Sequence, residues 1–194
     1  MDNAFDHMPP EQVAAESILR QRTTVGALQL PHRLAMAPMT RDRSAPDGTP
    51  TATNVEYYRQ RASTGLIITE GTQPSADGQG YLLTPGIYTD DHVAGWARVI
   101  DAVHQGGGRP VVQLMHVGRI SHPDNTPHHR QPVAPSSVAP STPMFTAAGM
   151  QPIPEPRAPT QTGSTASRPG RRSTRPIATP FTAAALTATP ITRL

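Results

Sequence analysis

The chain contains three short, mainly apolar runs, at residues 34–37, 66–69 and 110–116. Runs of this length, bounded by turn residues, are typical of strands that are buried on both faces of a parallel sheet. Residues 25–30, before the first run, alternate apolar with small or polar residues and indicate a short strand or hairpin. The pattern therefore predicts three parallel strands preceded by a short antiparallel element.

The stretch between the first two runs has the periodicity of a helix. Residues 53–62 place Val55, Tyr58 and Ala62 on one face, and Gly65 is expected to end the helix. A weaker helical pattern covers residues 11–22 of the polar lead-in.

A second helix is expected to begin after Thr89, which is a good N-cap, and to end at the glycine run 106–108. We interpret Trp96, the only tryptophan, as a core residue. Long loops follow the predicted strands and short loops follow the helices, which favours a parallel barrel whose long loops carry function. The apolar positions at helical spacing in this second helix are Val93, Trp96, Ala97, Ile100 and Val103.

The residues at the strand ends point to a ligand site. Pro38 has no N–H and ends the first strand, and Gly71 lets a ligand approach the backbone closely. Gln113 is polar inside an apolar run, so its amide needs a partner. Either a hydrogen bond within the barrel or a ligand meets that need.

Composition excludes several classes of protein. The 194 residues are fewer than the roughly 250 of a complete (β/α)8 barrel, and the absence of cysteine excludes disulfides and thiolate chemistry. All 17 basic residues are arginine, and the positive balance belongs to residues 159–194, which contain no acid. With neither a bilayer-spanning run nor a signal peptide, we expect a cytoplasmic protein that binds neither nucleic acid nor membrane.

Residues 117–158 are rich in proline and predict an extended excursion with little regular structure. Histidines in and just before this region raise the question of a metal site. Because the chain has no cysteine and Asp124 is the sole carboxylate among them, we interpret them as loop histidines. They are His116, His122, His128 and His129.

Motifs at the ends of all three predicted strands resemble those of one family. They are Met36-Ala37-Pro38-Met39-Thr40-Arg41, Ile68-Thr69-Glu70-Gly71-Thr72-Gln73 and Gln113-Leu114-Met115-His116-Val117-Gly118-Arg119. Together they resemble the Old Yellow Enzyme family of FMN-dependent NAD(P)H oxidoreductases, over about residues 18–158. The resemblance implies an α/β fold, a (β/α)8 TIM barrel with FMN at its C-terminal mouth, here incomplete and limited to the first three to four βα units.

The same resemblance implies roles for individual residues. The backbone of Pro38 and Met39 would face the flavin, and the Thr40 hydroxyl would meet its C4 carbonyl and N5 edge. Gly71 would lie close to the ring, and the Gln113 amide would bond the pyrimidine edge.

Substrate contacts and the reaction follow from the family as well. Tyr81 resembles a tyrosine that lines the substrate pocket, and Met115 stands where many relatives carry tryptophan. The implied reaction passes a hydride from NAD(P)H through FMN to an α,β-unsaturated carbonyl, a quinone or a nitro compound.

The resemblance ends after Ala158. The family's histidine pair and tyrosine on a fourth strand are not found, so the catalytic residues stay unassigned. We interpret residues 159–194 as a low-complexity tail read out of frame from a GC-rich gene, with a natural disordered tail as the alternative. The expected organisation is a lead-in (1–24), a barrel portion (25–158) and this tail. The chain would be a truncated oxidoreductase, active or inactive, or alternatively a non-catalytic fragment or binding module.

Overall fold

The computed structural model describes residues 17–158, and every structural statement below concerns this part of the chain. Short 3-10 turns cover Ile18–Arg20, Ala76–Gly78 and Pro123–Asn125. The strands and helices, in chain order, are β1 (Thr23–Val25), β2 (Leu28–Leu30), β3 (Ala35–Met36), α1 (Ala52–Arg59), β4 (Leu66–Thr72), α2 (Asp90–Gln105), β5 (Pro110–Leu114), β6 (Pro143–Thr146) and β7 (Gly149–Pro152).

The central element is a three-stranded parallel sheet in the order β3-β4-β5. Helix α1 connects β3 to β4, and α2 connects β4 to β5. The predicted order of strands and helices is thereby confirmed. Within residues 17–158 the sheet does not close into a barrel, so the structure shows successive βα units of an α/β fold. No helix in this described part is both long and apolar enough to cross a membrane.

The core lies between the sheet and the two helices. Ile67 of β4 and Tyr58 of α1 are completely buried, and Trp96 of α2 is 2% exposed. The Trp96 indole N–H donates to the Gly86 carbonyl at 3.0 Å, so its one polar atom is satisfied. The interpretation of Trp96 as a core residue is confirmed.

The start of α2 agrees with prediction, but its buried face differs. The Thr89 hydroxyl accepts a hydrogen bond from the His92 N–H at 3.2 Å and caps the helix. Val93, a predicted core position, is 51% exposed. The buried stripe instead includes His92, whose ring bonds the Asp47 carbonyl. A polar residue that is buried because its ring has a hydrogen-bond partner cannot be recognised from hydrophobic spacing alone.

The predicted end of α1 at Gly65 is wrong, because the helix ends at Arg59 with Gln60 as its C-cap. Gly65 serves a different purpose. A β-carbon at Gly65 would lie 2.6 Å from the His32 carbonyl oxygen, so the residue permits close contact between two backbone segments.

The flanking segments bring one confirmation and two corrections. The predicted hairpin is confirmed as β1 and β2. Within the described part of residues 11–22, the structure has only the turn Ile18–Arg20, whose apolar side chains are exposed and so have no core to stabilise a helix. The proline-rich excursion contains the hairpin β6–β7, which was not predicted. Residues 1–16 and the tail 159–194 lie outside the described residues.

Candidate functional site

Long loops follow β3, β4 and β5 and pack on one another at the C-terminal end of the sheet. Between the first two loops, the Ser44 N–H donates to the Leu83 carbonyl at 3.0 Å. Between the second and third loops, the Val117 N–H donates to the Gly78 carbonyl at 3.2 Å. These bonds join the three loops into one layer, which confirms that the long loops follow the strands and not the helices.

The structure brings Thr40, Gly71 and Gln113 to the ends of neighbouring strands. Gly71 and Gln113 are register partners in β4 and β5. Thr40 follows β3, and the next residue, Arg41, donates its backbone N–H to the Glu70 carboxylate at 2.9 Å. The three residues therefore share one edge of the sheet.

Two polar side chains at this edge have no hydrogen-bond partner in the part of the chain that the structure describes. Within residues 17–158, neither the Thr40 hydroxyl nor the Gln113 side-chain amide makes a hydrogen bond, and only the Gln113 backbone N–H is engaged, by the Thr69 hydroxyl at 3.2 Å. Thr40 is exposed and Gln113 half-buried. Of the two alternatives for the Gln113 amide, a hydrogen bond within this part of the fold is not formed.

Apolar groups accompany these polar ones. Pro38 is half-buried, and Met39, three residues beyond the end of β3, is 43% exposed. The edge thus combines an exposed thioether with two unpaired hydrogen-bonding side chains, which suits a flat ligand with a polar rim.

Gly71 is buried beneath Met115. A β-carbon at Gly71 would collide with the terminal methyl of Met115 and lie 2.8 Å from its sulfur. The absence of a side chain at Gly71 therefore makes room for Met115. A ligand that contacts Gly71 from this side would have to share that space with the flexible thioether.

A completely buried carboxylate, Glu70, lies beside this edge. Its Oε1 accepts from Asn54 Nδ2 at 3.3 Å and from the Tyr58 hydroxyl at 3.4 Å. The Tyr58 hydroxyl in turn accepts from the Glu70 backbone N–H at 2.8 Å. Helix α1 thus holds one oxygen of the carboxylate, while the other faces Arg41.

Burial dominates the electrostatics of this cluster. Desolvation raises the pKa of Glu70 above its ordinary value, although hydrogen bonds from Arg41 and Asn54 oppose the rise and the nearby Asp42 carboxylate adds to it. Desolvation also raises the pKa of Asp42, against the opposing charges of Arg43 and Arg41. Desolvation and the neighbouring Glu70 raise the pKa of Tyr58, which therefore stays protonated.

Tyr81 lies on the loop after β4 and is 40% exposed. The preceding glycine fastens this segment to the loop after β5, because a β-carbon at Gly80 would lie 2.6 Å from a Val117 methyl group. The Asn125 amide also donates to the Gly80 carbonyl at 3.1 Å. Tyr81 is therefore carried by backbone that is packed at the same end of the sheet.

The loop histidines make local contacts. His116 Nδ1 accepts from the Gly118 N–H at 3.1 Å, and His128 Nε2 lies 3.0 Å from the Ala76 carbonyl. Among the described residues, no three histidine or carboxylate side chains are grouped so that they could hold a metal ion.

Sequence reasoning missed Glu70, Tyr58 and Asn54 as a connected group. In the sequence, Glu70 stands out only as part of a family motif and Tyr58 only as a residue on the apolar face of a helix. The available signal was the same one that singled out Gln113. An ionisable residue that directly continues an apolar strand must find buried partners.

Comparison with known proteins gives a consistent picture. The model of the NADH:flavin oxidoreductase / NADH oxidase family matches residues 21–158. The 12-oxophytodienoate reductase 1 of Oryza sativa subsp. japonica is 41% identical over 130 residues, which cover 66% of this chain and 34% of the relative. A probable flavin mononucleotide-dependent alkene reductase of Leishmania infantum is 44% identical over 115 residues, 59% of this chain and 32% of the relative. The chain thus spans about a third of the length of these curated relatives.

Solved structures extend the likeness to the backbone. Morphinone reductase in complex with tetrahydroNAD is 44% identical, with a TM-score of 0.68 over 75% of this chain and 41% of that one. The old yellow enzyme homologue from Zymomonas mobilis is 39% identical, with a TM-score of 0.70 over 75% of this chain and 40% of that one. At these identities the likeness concerns sequence and fold together.

Proposed function

The chain belongs to the NADH:flavin oxidoreductase / NADH oxidase family, and from this premise we propose that it supplies flavin-binding strand ends of an FMN-dependent NAD(P)H oxidoreductase of the ene-reductase type. The chemistry that FMN supplies when bound is the transfer of a hydride from NAD(P)H to an electron-poor carbon. The proposed acceptor is an α,β-unsaturated carbonyl or a similar small molecule, such as a quinone or a nitro compound.

One observation carries this proposal: the Thr40 hydroxyl and the Gln113 amide stand without hydrogen-bond partners among residues 17–158, on either side of β4, the strand that contains Gly71. Gln113 is half-buried, and buried polar groups usually find hydrogen-bond partners. A flavin edge alternates donors and acceptors, and an amide offers both. The two side chains therefore fit the cofactor's polar rim.

The remaining predicted contacts complete the proposed site. The backbone at Pro38 and Met39 would support the flavin, with the exposed Met39 side chain shielding it from water. Gln113 would hold the pyrimidine edge, and the Thr40 hydroxyl would donate to the C4 carbonyl side. Tyr81 would line the substrate side of the site.

The proposal is tested by titrating FMN with the purified 194-residue chain. The quenching of flavin fluorescence measures binding at equilibrium. We expect saturable binding that weakens about tenfold in Gln113→Leu and in Thr40→Val, as loss of a single well-placed hydrogen bond would do. Gln105→Leu, at the exposed end of α2, is the matched control and should bind like the wild type. Absence of binding, or equal binding by all four proteins, would contradict the proposal.

Catalysis is tested separately, by oxidation of NADH or NADPH in the presence of FMN and 2-cyclohexenone. The proposal predicts that this chain oxidises NADH or NADPH only when the acceptor 2-cyclohexenone is present. Oxidation that is unchanged in Gln113→Leu would count against the assigned site.

A further inference from the structure

We propose that Glu70 is a positioning residue, whose buried carboxylate holds the turn after β3 and thereby places the Thr40 hydroxyl beside Gly71. The role of Thr40 itself rests on the proposed function. The identification of the group that fixes its position goes beyond that function.

The contact that carries this inference is the 2.9 Å hydrogen bond from the Arg41 backbone N–H to Glu70 Oε2. The N–H of Arg41 belongs to the same planar peptide unit as the carbonyl of Thr40. The Thr40 Cα lies in the same plane. An acceptor that fixes this N–H therefore helps to fix the position of the Cα that carries the Thr40 side chain.

The carboxylate is itself held in place from helix α1. Asn54 Nδ2 and the Tyr58 hydroxyl bond its other oxygen, at 3.3 and 3.4 Å. The Asn54 side-chain oxygen accepts from the Thr51 N–H at 2.8 Å, which ties the amide to the start of the helix. The Glu70 carboxylate thus links the turn after β3 to helix α1 at Arg41, while the Thr51 hydroxyl at the start of the helix donates to the Arg43 carbonyl at 2.7 Å and holds the far end of the turn.

The turn needs such an external anchor because its own conformation is unfavourable. Asp42 has a φ of 52°, in the left-handed region that residues other than glycine rarely adopt. The Arg43 guanidinium bonds the carbonyls of Arg41 and Asp42, at 3.1 and 2.8 Å, but these contacts lie within the turn. Among residues 17–158, the Glu70 carboxylate provides the one hydrogen bond from β4 to residues 40–43.

Burial gives a further reason to assign a role to this carboxylate. Glu70 is completely buried, and a buried ionisable group usually contributes less to stability than an apolar group of the same size. A positioning task accounts for the presence of a glutamate where packing alone would favour a hydrocarbon.

Nuclear magnetic resonance of the isotopically labelled, full 194-residue chain tests the inference without FMN. In the wild type, we expect a scalar coupling through the hydrogen bond, between the Arg41 amide nitrogen and the Glu70 carboxylate carbon. In Glu70→Met, the Arg41 amide should exchange with solvent at least tenfold faster, and the Thr40 resonances should shift. Glu70→Gln keeps an oxygen acceptor and should restore most of the protection.

Val99→Ala is the control for a merely structural role, because it removes buried apolar volume from the core beneath α2 and leaves the hydrogen bonds of Glu70 intact. Its Arg41 coupling and Thr40 resonances should match the wild type even if its stability falls. Absence of the coupling in the wild type, or equal changes in Val99→Ala and Glu70→Met, would overturn the inference. The wild-type coupling decides the matter even if Glu70→Met does not fold.

FMN titration then separates this inference from the proposed function. If the wild type binds FMN, Glu70→Met should bind about tenfold more weakly and Val99→Ala equally well. Equal affinity of Glu70→Met and the wild type would overturn the inference and leave the proposed function standing. A wild type that binds no FMN would refute the proposed function, while the amide measurements alone would still decide whether Glu70 places Thr40.

Discussion

The Met115 thioether fills the space that a side chain at Gly71 would occupy. The two residues belong to adjacent strand ends, and the Met115 N–H donates to the Thr72 carbonyl at 2.9 Å. Their contact links the shape of the candidate site to the packing of the sheet.

Substitution of Gly71 by alanine tests this contact. Gly71 is not among the glycines with a positive φ, so the backbone itself would accept alanine, and the cost should come from the displaced methionine. We expect a loss of about 1 kcal/mol in the free energy of unfolding, at the low end for overpacking because the thioether is flexible. Urea denaturation measures it. The cost should fall by more than half in a Met115→Ala background, and an unchanged cost there would show that the two residues are not coupled.

The hydrogen bonds of the Tyr58 hydroxyl predict that phenylalanine lowers the free energy of unfolding more at Tyr58 than at the adjacent Tyr57. Tyr58→Phe leaves the buried Glu70 N–H without its acceptor and should lower the free energy of unfolding by about 1–3 kcal/mol. The Tyr57 ring packs under the Arg61 guanidinium at 3.8 Å, a contact that phenylalanine retains. Tyr57→Phe should therefore change stability by less than about 0.5 kcal/mol. Similar losses in the two variants would contradict the assigned hydrogen bonds.

The raised pKa of Glu70 predicts how stability depends on pH. Between the ordinary value of 4.5 and the raised pKa, the folded protein keeps a proton that the unfolded chain has released. The Glu70 contribution to stability is therefore full below pH 4.5 and is lost as the pH rises through the folded pKa.

Glu70→Gln has no proton to lose and serves as the reference. Parallel urea titrations from pH 4 to pH 8 should show the stability of the wild type decreasing relative to that of the variant. Groups common to both proteins, such as Asp47, largely cancel in this difference. An increase in the stability of the wild type relative to that of Glu70→Gln as the pH rises would contradict the raised pKa.

For the exposed Glu56, we predict the opposite dependence of stability on pH. Hydrogen bonds from Arg59, and next from Gln60, lower the pKa of Glu56 to about 2. The stabilisation by its charged form is present above the ordinary value of 4.5 and is lost as the pH falls from there toward 2. Because the pair lies in solvent, Glu56→Gln should show only a small effect, which 1 M salt removes. An effect that persists in high salt would indicate a less exposed pair.

Much of the fold was predictable because each strand of the sheet is a continuous apolar run bounded by turn residues. The family resemblance, read from three motifs at strand ends, is confirmed by the family match, and with it the FMN cofactor and nicotinamide reductant of that family. The roles of Pro38, Met39, Thr40, Gly71, Gln113 and Tyr81 stay predictions.

Other features could not be predicted from the local sequence pattern, because they depend on particular hydrogen bonds. The β4 strand extends past its apolar run to Thr72 because α1 supplies partners for Glu70, and those partners lie 12 and 16 residues earlier in the chain. The β6–β7 hairpin turns at two alanines, and its turn depends on the Thr146 hydroxyl, which bonds the Ala148 N–H and the Gly149 carbonyl. Neither alanine is a typical turn residue.

The most direct test is to titrate FMN into the isotopically labelled 194-residue chain and record which backbone amides change. The account predicts that Thr40, Gly71 and Gln113 shift together and saturate at the same FMN concentration. Saturable shifts confined to other parts of the fold, or no shifts at these three amides, would contradict it.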